Sequence, residues 1–116
     1  MKTMRRSTLL FGLSAATFAL CLSTGAAAAD AAAAQALARQ NNCFKCHSVD
    51  KSSGKTSWKE LAAKIKNEKG IEAKLVTHLT TGPKVKFADG TEVTHPIIKA
   101  KDPGEIKNVV EWILSL

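Results

Sequence analysis

The sequence predicts an all-α domain of about four short helices, with one small β-hairpin before the last of them. Three observations carry this expectation. Residues 30–42 are alanine-rich and contain no Gly or Pro, the composition with the strongest helix propensity. Three later segments carry apolar residues at helical spacing, each bounded by a capping residue or a glycine. Alternating residues occur once, on either side of Asp89-Gly90.

The chain has 116 residues and a formal charge of +7, with three Cys and two Met. That length suits one small domain and excludes a large two-domain enzyme. A hydrophobic fraction of 45% with 23% charged residues excludes collagen-like, coiled-coil and disordered classes. Residues 1–29 read as a cleaved export signal. Lys2, Arg5 and Arg6 form a basic front, residues 9–22 an apolar stretch, and Ala27-Ala28-Ala29 a small-residue cleavage site. The apolar stretch is short for a membrane span and lacks a basic stop-transfer flank, so a retained anchor is the lesser reading. Arg5-Arg6 matches a twin-arginine signal poorly, and Leu20 is too large before a lipidated Cys21. Residues 30–116 then form the domain: 87 residues of net charge +4, with Cys43 and Cys46 but no methionine. A core of that size often needs a disulfide, a metal or a cofactor as a staple.

The elements follow in order. Asp30 suits the N-terminus of the helix over 30–42. Residues 48–57 are polar, contain Gly54 and several Ser, and read as a loop. Trp58, Leu61, Ala62 and Ile65 share one helical face, with Ser57 and Glu60 as a capping box and Gly70 as the stop. Residues 71–81 form a third helix with Ile71, Leu75 and Leu79 on one side, ended by Gly82-Pro83. Residues 85–87 and 91–93 flank the turn of the hairpin. Asp102 caps the last helix, Pro103 takes its first position, and Ile106, Val109, Val110 and Ile113 form its stripe. Trp112, slightly off that stripe, is expected in the core.

Cys43-Phe44-Lys45-Cys46-His47 is the Cys-x-x-Cys-His pattern of covalent haem attachment. Two thiols three positions apart reach two positions on one porphyrin edge, and the adjacent imidazole turns onto the iron. Three other uses of the cysteines remain. A redox-active disulfide calls for a strand before the motif, whereas a helix is expected here. A zinc site calls for a second ligand pair, and His78 and His95 are 17 residues apart. A plain disulfide is the third.

On this motif, and on residues 37–51, 57–64 and 110–116, the sequence resembles the class I monohaem cytochromes c of bacteria, the small c-551/c-552-like group. The resemblance covers nearly all of residues 30–116. It implies N- and C-terminal helices that cross and pack around one covalently attached haem c. Cys43 and Cys46 are then the thioether anchors and His47 the proximal ligand. Trp58 is expected near the haem, its indole N–H within reach of a propionate.

The sequence departs from the group twice. Lys55-Thr56 stands where members carry Gly-Pro, so the carbonyl that orients His47 is expected from another residue, Thr56 being the candidate. His95-Pro96 stands where members carry the Met-Pro that supplies the distal sulfur. His95 is therefore expected as the distal ligand, since Pro96 restrains it to an extended conformation. His78, about 20° from Ile71 on a helical wheel, is the runner-up, and an open or water-filled site is the third possibility.

These residues imply an exported, periplasmic electron-transfer protein with a lowered potential, and not an enzyme. A haem-based ligand-binding, sensing or catalytic protein, in which His95 detaches, is the alternative. Val93, Thr94, Ile97 and Ile98 provide no acid–base pair for peroxidase chemistry. Lys45, Lys84, Lys86, Lys99 and Lys101 lie near the expected haem edge and suit an acidic redox partner. Nucleic acid is excluded as a partner by export, local charge balance and the lack of an aromatic–basic platform. A monomer without stable membrane insertion is expected.

Overall fold

In the computed structural model, residues 27–50 and 56–116 are described. The expected export signal and Cys21 lie outside them, except for Ala27, Ala28 and Ala29, and so does the middle of the expected loop after the haem motif. The elements are α1 (Ala31–Gln40), α2 (Trp58–Ile65), α3 (Ile71–Thr81), β1 (Lys84–Lys86), β2 (Glu92–Thr94) and α4 (Pro103–Leu114). Four helices and one two-stranded hairpin match the predicted class.

The caps act where the sequence places them. Asp30 accepts from the amide of Ala33, and Asp102 from that of Glu105. Ser57 and Glu60 form a reciprocal capping box. Two boundaries differ from expectation. α2 stops at Ile65, not at Gly70, because residues 66–69 carry no apolar side chain that would hold another turn on the core. Gly70, at φ 72°, instead precedes the first turn of α3. α1 stops at Gln40, where Asn42 takes a left-handed φ of 57° and a 3₁₀ turn, Cys43–Lys45, follows.

α1 crosses α4 to form the core. Ala34, Leu37 and Ala38 face Val109, Trp112 and Ile113, joined by Trp58 and Ile98. Small alanines on α1 allow the helices a close approach, and the two indoles fill the remaining volume. The crossing is also tied at its edge. The Asp30 amide donates to Asn108 Oδ1 at 2.8 Å, and Asn108 Nδ2 donates to the Asp30 carbonyl at 2.9 Å.

α3 differs from the other helices, since none of its residues is fully buried. Ile71, Leu75, His78 and Leu79 are only half-covered, although they share one face. Beyond α3, β1 and β2 pair antiparallel with Val85 opposite Val93, which aims the chain back toward the end of α3. The Ile98 amide then donates to the Leu79 carbonyl at 2.8 Å. Asn41 closes the return: its Nδ2 donates to the Lys99 carbonyl at 3.0 Å and its Oδ1 accepts from the Lys99 amide at 2.7 Å.

Candidate functional site

The 3₁₀ turn at Cys43–Lys45 curls the backbone so that the amides of Cys46 and His47 both donate to the Cys43 carbonyl, at 3.2 and 3.0 Å. Cys43 and Cys46 are half-buried free thiols, which removes the disulfide readings from this structure. Burial lifts the Cys43 thiol above its ordinary range; a backbone hydrogen bond opposes this and nearby Cys46 adds to it. No group of three or more metal-binding side chains forms a chelating cluster among the described residues, so zinc finds no site there.

His47 is positioned from two sides. Its Nδ1 lies 2.9 Å from the Thr56 carbonyl oxygen. A carbonyl can only accept, so Nδ1 carries the proton and Nε2 of the neutral ring keeps its lone pair. The Trp58 indole stacks on the His47 ring at 5.4 Å between centroids and 9° between planes. Trp58 is itself held edge-on by Phe44 and Trp112 and is 4% exposed. Main-chain bonds from Trp58 to Ser48 and from Lys59 to Val49 fix the start of α2 against the motif.

His95 is positioned independently. Its amide donates to the Pro83 carbonyl at 2.8 Å, and its Nδ1 lies 2.9 Å from the Pro96 carbonyl. The same argument puts its proton on Nδ1. Gly82, at φ 60°, permits this approach: a Cβ there would lie 2.9 Å from the His95 carbonyl oxygen and 3.0 Å from Ile97 Cγ1.

The structure brings all three histidines of the chain together. His47 and His95 ring centroids are 6.3 Å apart, with planes at 48°. His78 lies 4.4 Å from His95 in an edge-to-face contact. Burial lowers the basicity of His78, and the neighbouring His95 and His47 lower it further. The sequence gives His78 only a place at the edge of an apolar stripe; its neighbours come from the hairpin return.

A porphyrin fits these residues. The 6.3 Å between the His47 and His95 rings would leave room for an iron held between two imidazole nitrogens at about 2 Å each. The half-covered face of α3 that carries His78 would offer apolar wall, and Cys43 and Cys46 would offer the sulfurs for thioether bonds. Ser48 Oγ, next to His47, is buried without a hydrogen-bond partner among the described residues. Lys45, Lys84, Lys86, Lys99 and Lys101 are all exposed, and Val93 and Ile97 add 40% and 57% exposed apolar side chains near His95. No described helix is long and apolar enough to cross a membrane.

The sequence matches the family described as Cytochrome c over residues 31–116. Among solved structures it is similar to the class 1 cytochrome MtoD from Sideroxydans lithotrophicus ES-1. The two are 52% identical with a TM-score of 0.70, over 76% of this chain and 97% of that one. It also shares the fold of wild-type Nitrosomonas europaea cytochrome c552, at 23% identity and a TM-score of 0.54 over 70% of this chain and 96% of that one. No match is found among curated proteins.

Proposed function

This chain belongs to the cytochrome c family and is a haem electron-transfer protein, and on that premise we propose that it is an exported, bis-histidine-ligated carrier that transforms no substrate. The family implies a covalently bound c-type haem, and the Cys43, Cys46 and His47 motif fits it. The haem supplies a one-electron Fe(III)/Fe(II) couple.

One observation supports the ligand assignment above all. His47 and His95 stand 6.3 Å apart, each with Nδ1 against a main-chain carbonyl. Thr56 and Pro96 thereby hold the two rings in the tautomer protonated at Nδ1. Trp58 holds the plane of His47. Cys43 and Cys46 anchor the porphyrin edge, with Trp58 as the donor to a propionate. Two fixed ligands suit electron transfer, because little rearranges between oxidation states. Imidazole is a stronger donor than thioether, so the potential lies below that of methionine-ligated relatives.

The localisation follows from the export signal and from attachment of haem outside the cytoplasm. An acidic redox partner meets the face carrying Lys45, Lys84, Lys86, Lys99 and Lys101, and that association weakens as ionic strength rises.

His95→Met tests the ligand. Residues 30–116 contain no methionine, so the variant gains a sulfur-to-iron near-infrared band and a higher midpoint potential if His95 coordinates. A spectrum identical to wild type overturns the assignment.

A further inference from the structure

We propose that His78 is a standby distal ligand, held beside His95 and able to take its place on the same iron. The inference rests on the bis-histidine reading and adds a second imidazole to it.

The edge-to-face contact at 4.4 Å puts the His78 ring one ring-width from that of His95. The distance is fixed by the fold. His78 sits on α3, and the chain after His95 is bonded to that helix through the Ile98 amide and the Leu79 carbonyl. The His95 amide is bonded to Pro83, just beyond the helix end. The two residues therefore stay neighbours whichever one coordinates.

The rings differ in how they are held. His47 and His95 each have Nδ1 tied to a carbonyl. Among the described residues, His78 makes no side-chain hydrogen bond, so packing alone holds its ring. It is half-buried on the face of α3 that carries Ile71, Leu75 and Leu79, the wall assigned to the porphyrin. An apolar side chain would fill this position without cost, whereas an imidazole brings a lone pair to it.

The exchange is a substitution at one coordination position. His95 would leave with its lone pair and a nitrogen of His78 would supply another, so the iron would gain and lose no electron. The consequence would be a distal position that His78 occupies when His95 leaves, so that CO and peroxide would have to compete with it.

The test compares holoprotein of wild type, His78→Ala, His95→Ala and the double variant by EPR, and by CO titration of the ferrous form. His95→Gln is run in parallel, because it keeps the loop filled should alanine unfold it. The expected result is a wild-type spectrum for His78→Ala. The His95 variants remain low-spin with shifted bis-imidazole g-values, and the double variant becomes high-spin. If His78 occupies the position about nine-tenths of the time, the His95 variants bind CO about tenfold more weakly than the double variant. High-spin His95 variants that bind CO as tightly as the double variant overturn the standby role and leave the bis-histidine reading intact. Loss of the low-spin signal in His78→Ala, with wild-type g-values in His95→Ala, overturns both, since His78 would then be the resident ligand.

Discussion

His47 Nδ1 stands 2.9 Å from the carbonyl oxygen of Thr56, nine residues further along the chain. The acceptor belongs to the main chain and immediately precedes Ser57, the fully buried cap of α2. The capping box therefore positions the atom that orients His47, the proposed proximal ligand.

Ser57→Ala is expected to cost about 1 kcal/mol of stability through the lost cap. It should also broaden the low-spin EPR signal, because the Thr56 carbonyl loses its support. Thr56→Ala leaves the carbonyl in place and, at an exposed position, should change stability by less than about 0.5 kcal/mol. Denaturant unfolding and EPR of the two holoproteins check the pair; equal spectral effects would assign the role to the threonine side chain instead.

Gly82 and Gly90 both have positive φ, 60° and 86°, but only Gly82 is crowded. Gly90→Ala should cost about 1 kcal/mol, the backbone penalty alone. Gly82→Ala adds a clash with the His95 carbonyl and Ile97, so a loss of about 2 kcal/mol or more is expected. With His95 as the proposed distal ligand, it should also raise the high-spin fraction by loosening that residue, visible in the Soret band. Equal costs at the two sites would mean that the loop relaxes freely around Gly82.

Asn41 holds Lys99 through both its amide and its carbonyl, and also donates to the Leu37 carbonyl at 3.0 Å. Asn41→Ala should cost about 2 kcal/mol, a few net hydrogen bonds at a half-buried position. Hydrogen exchange at the Lys99 amide should accelerate with it. A protected Lys99 amide in the variant would show that the return segment is held by Ile98 alone.

Trp58 touches His47, whereas Trp112 touches Trp58. Trp58→Ala and Trp112→Ala should each cost about 3–5 kcal/mol as large cavities in a small core. Only Trp58→Ala should shift the g-values strongly, because it removes the ring stacked on the ligand. A comparable shift from Trp112→Ala would mean that the aromatic chain acts as one unit.

Much of the fold was legible because its signals are local. Asp30, Ser57 with Glu60, and Asp102 with Pro103 cap their helices by bonds within one turn. Asp89-Gly90 fits a tight turn without reference to the rest of the chain. The boundaries that differed depend on tertiary support: residues 66–69 have nothing to pack, and the end of α1 turns with Asn42 while Asn41 reaches across to Lys99.

The sequence by itself determined the helical class, the haem motif at Cys43, Cys46 and His47, and the loss of the distal methionine from residues 30–116. These are matters of composition and of spacing within a few residues. The tertiary structure decided the surroundings of His47. It brought His95 within 6.3 Å of His47 and His78 within 4.4 Å of His95, across 48 and 17 residues of chain. The reason is physical: those distances are set by a hairpin, by a left-handed glycine and by amide bonds onto the end of α3, none of which is encoded in the spacing of the histidines.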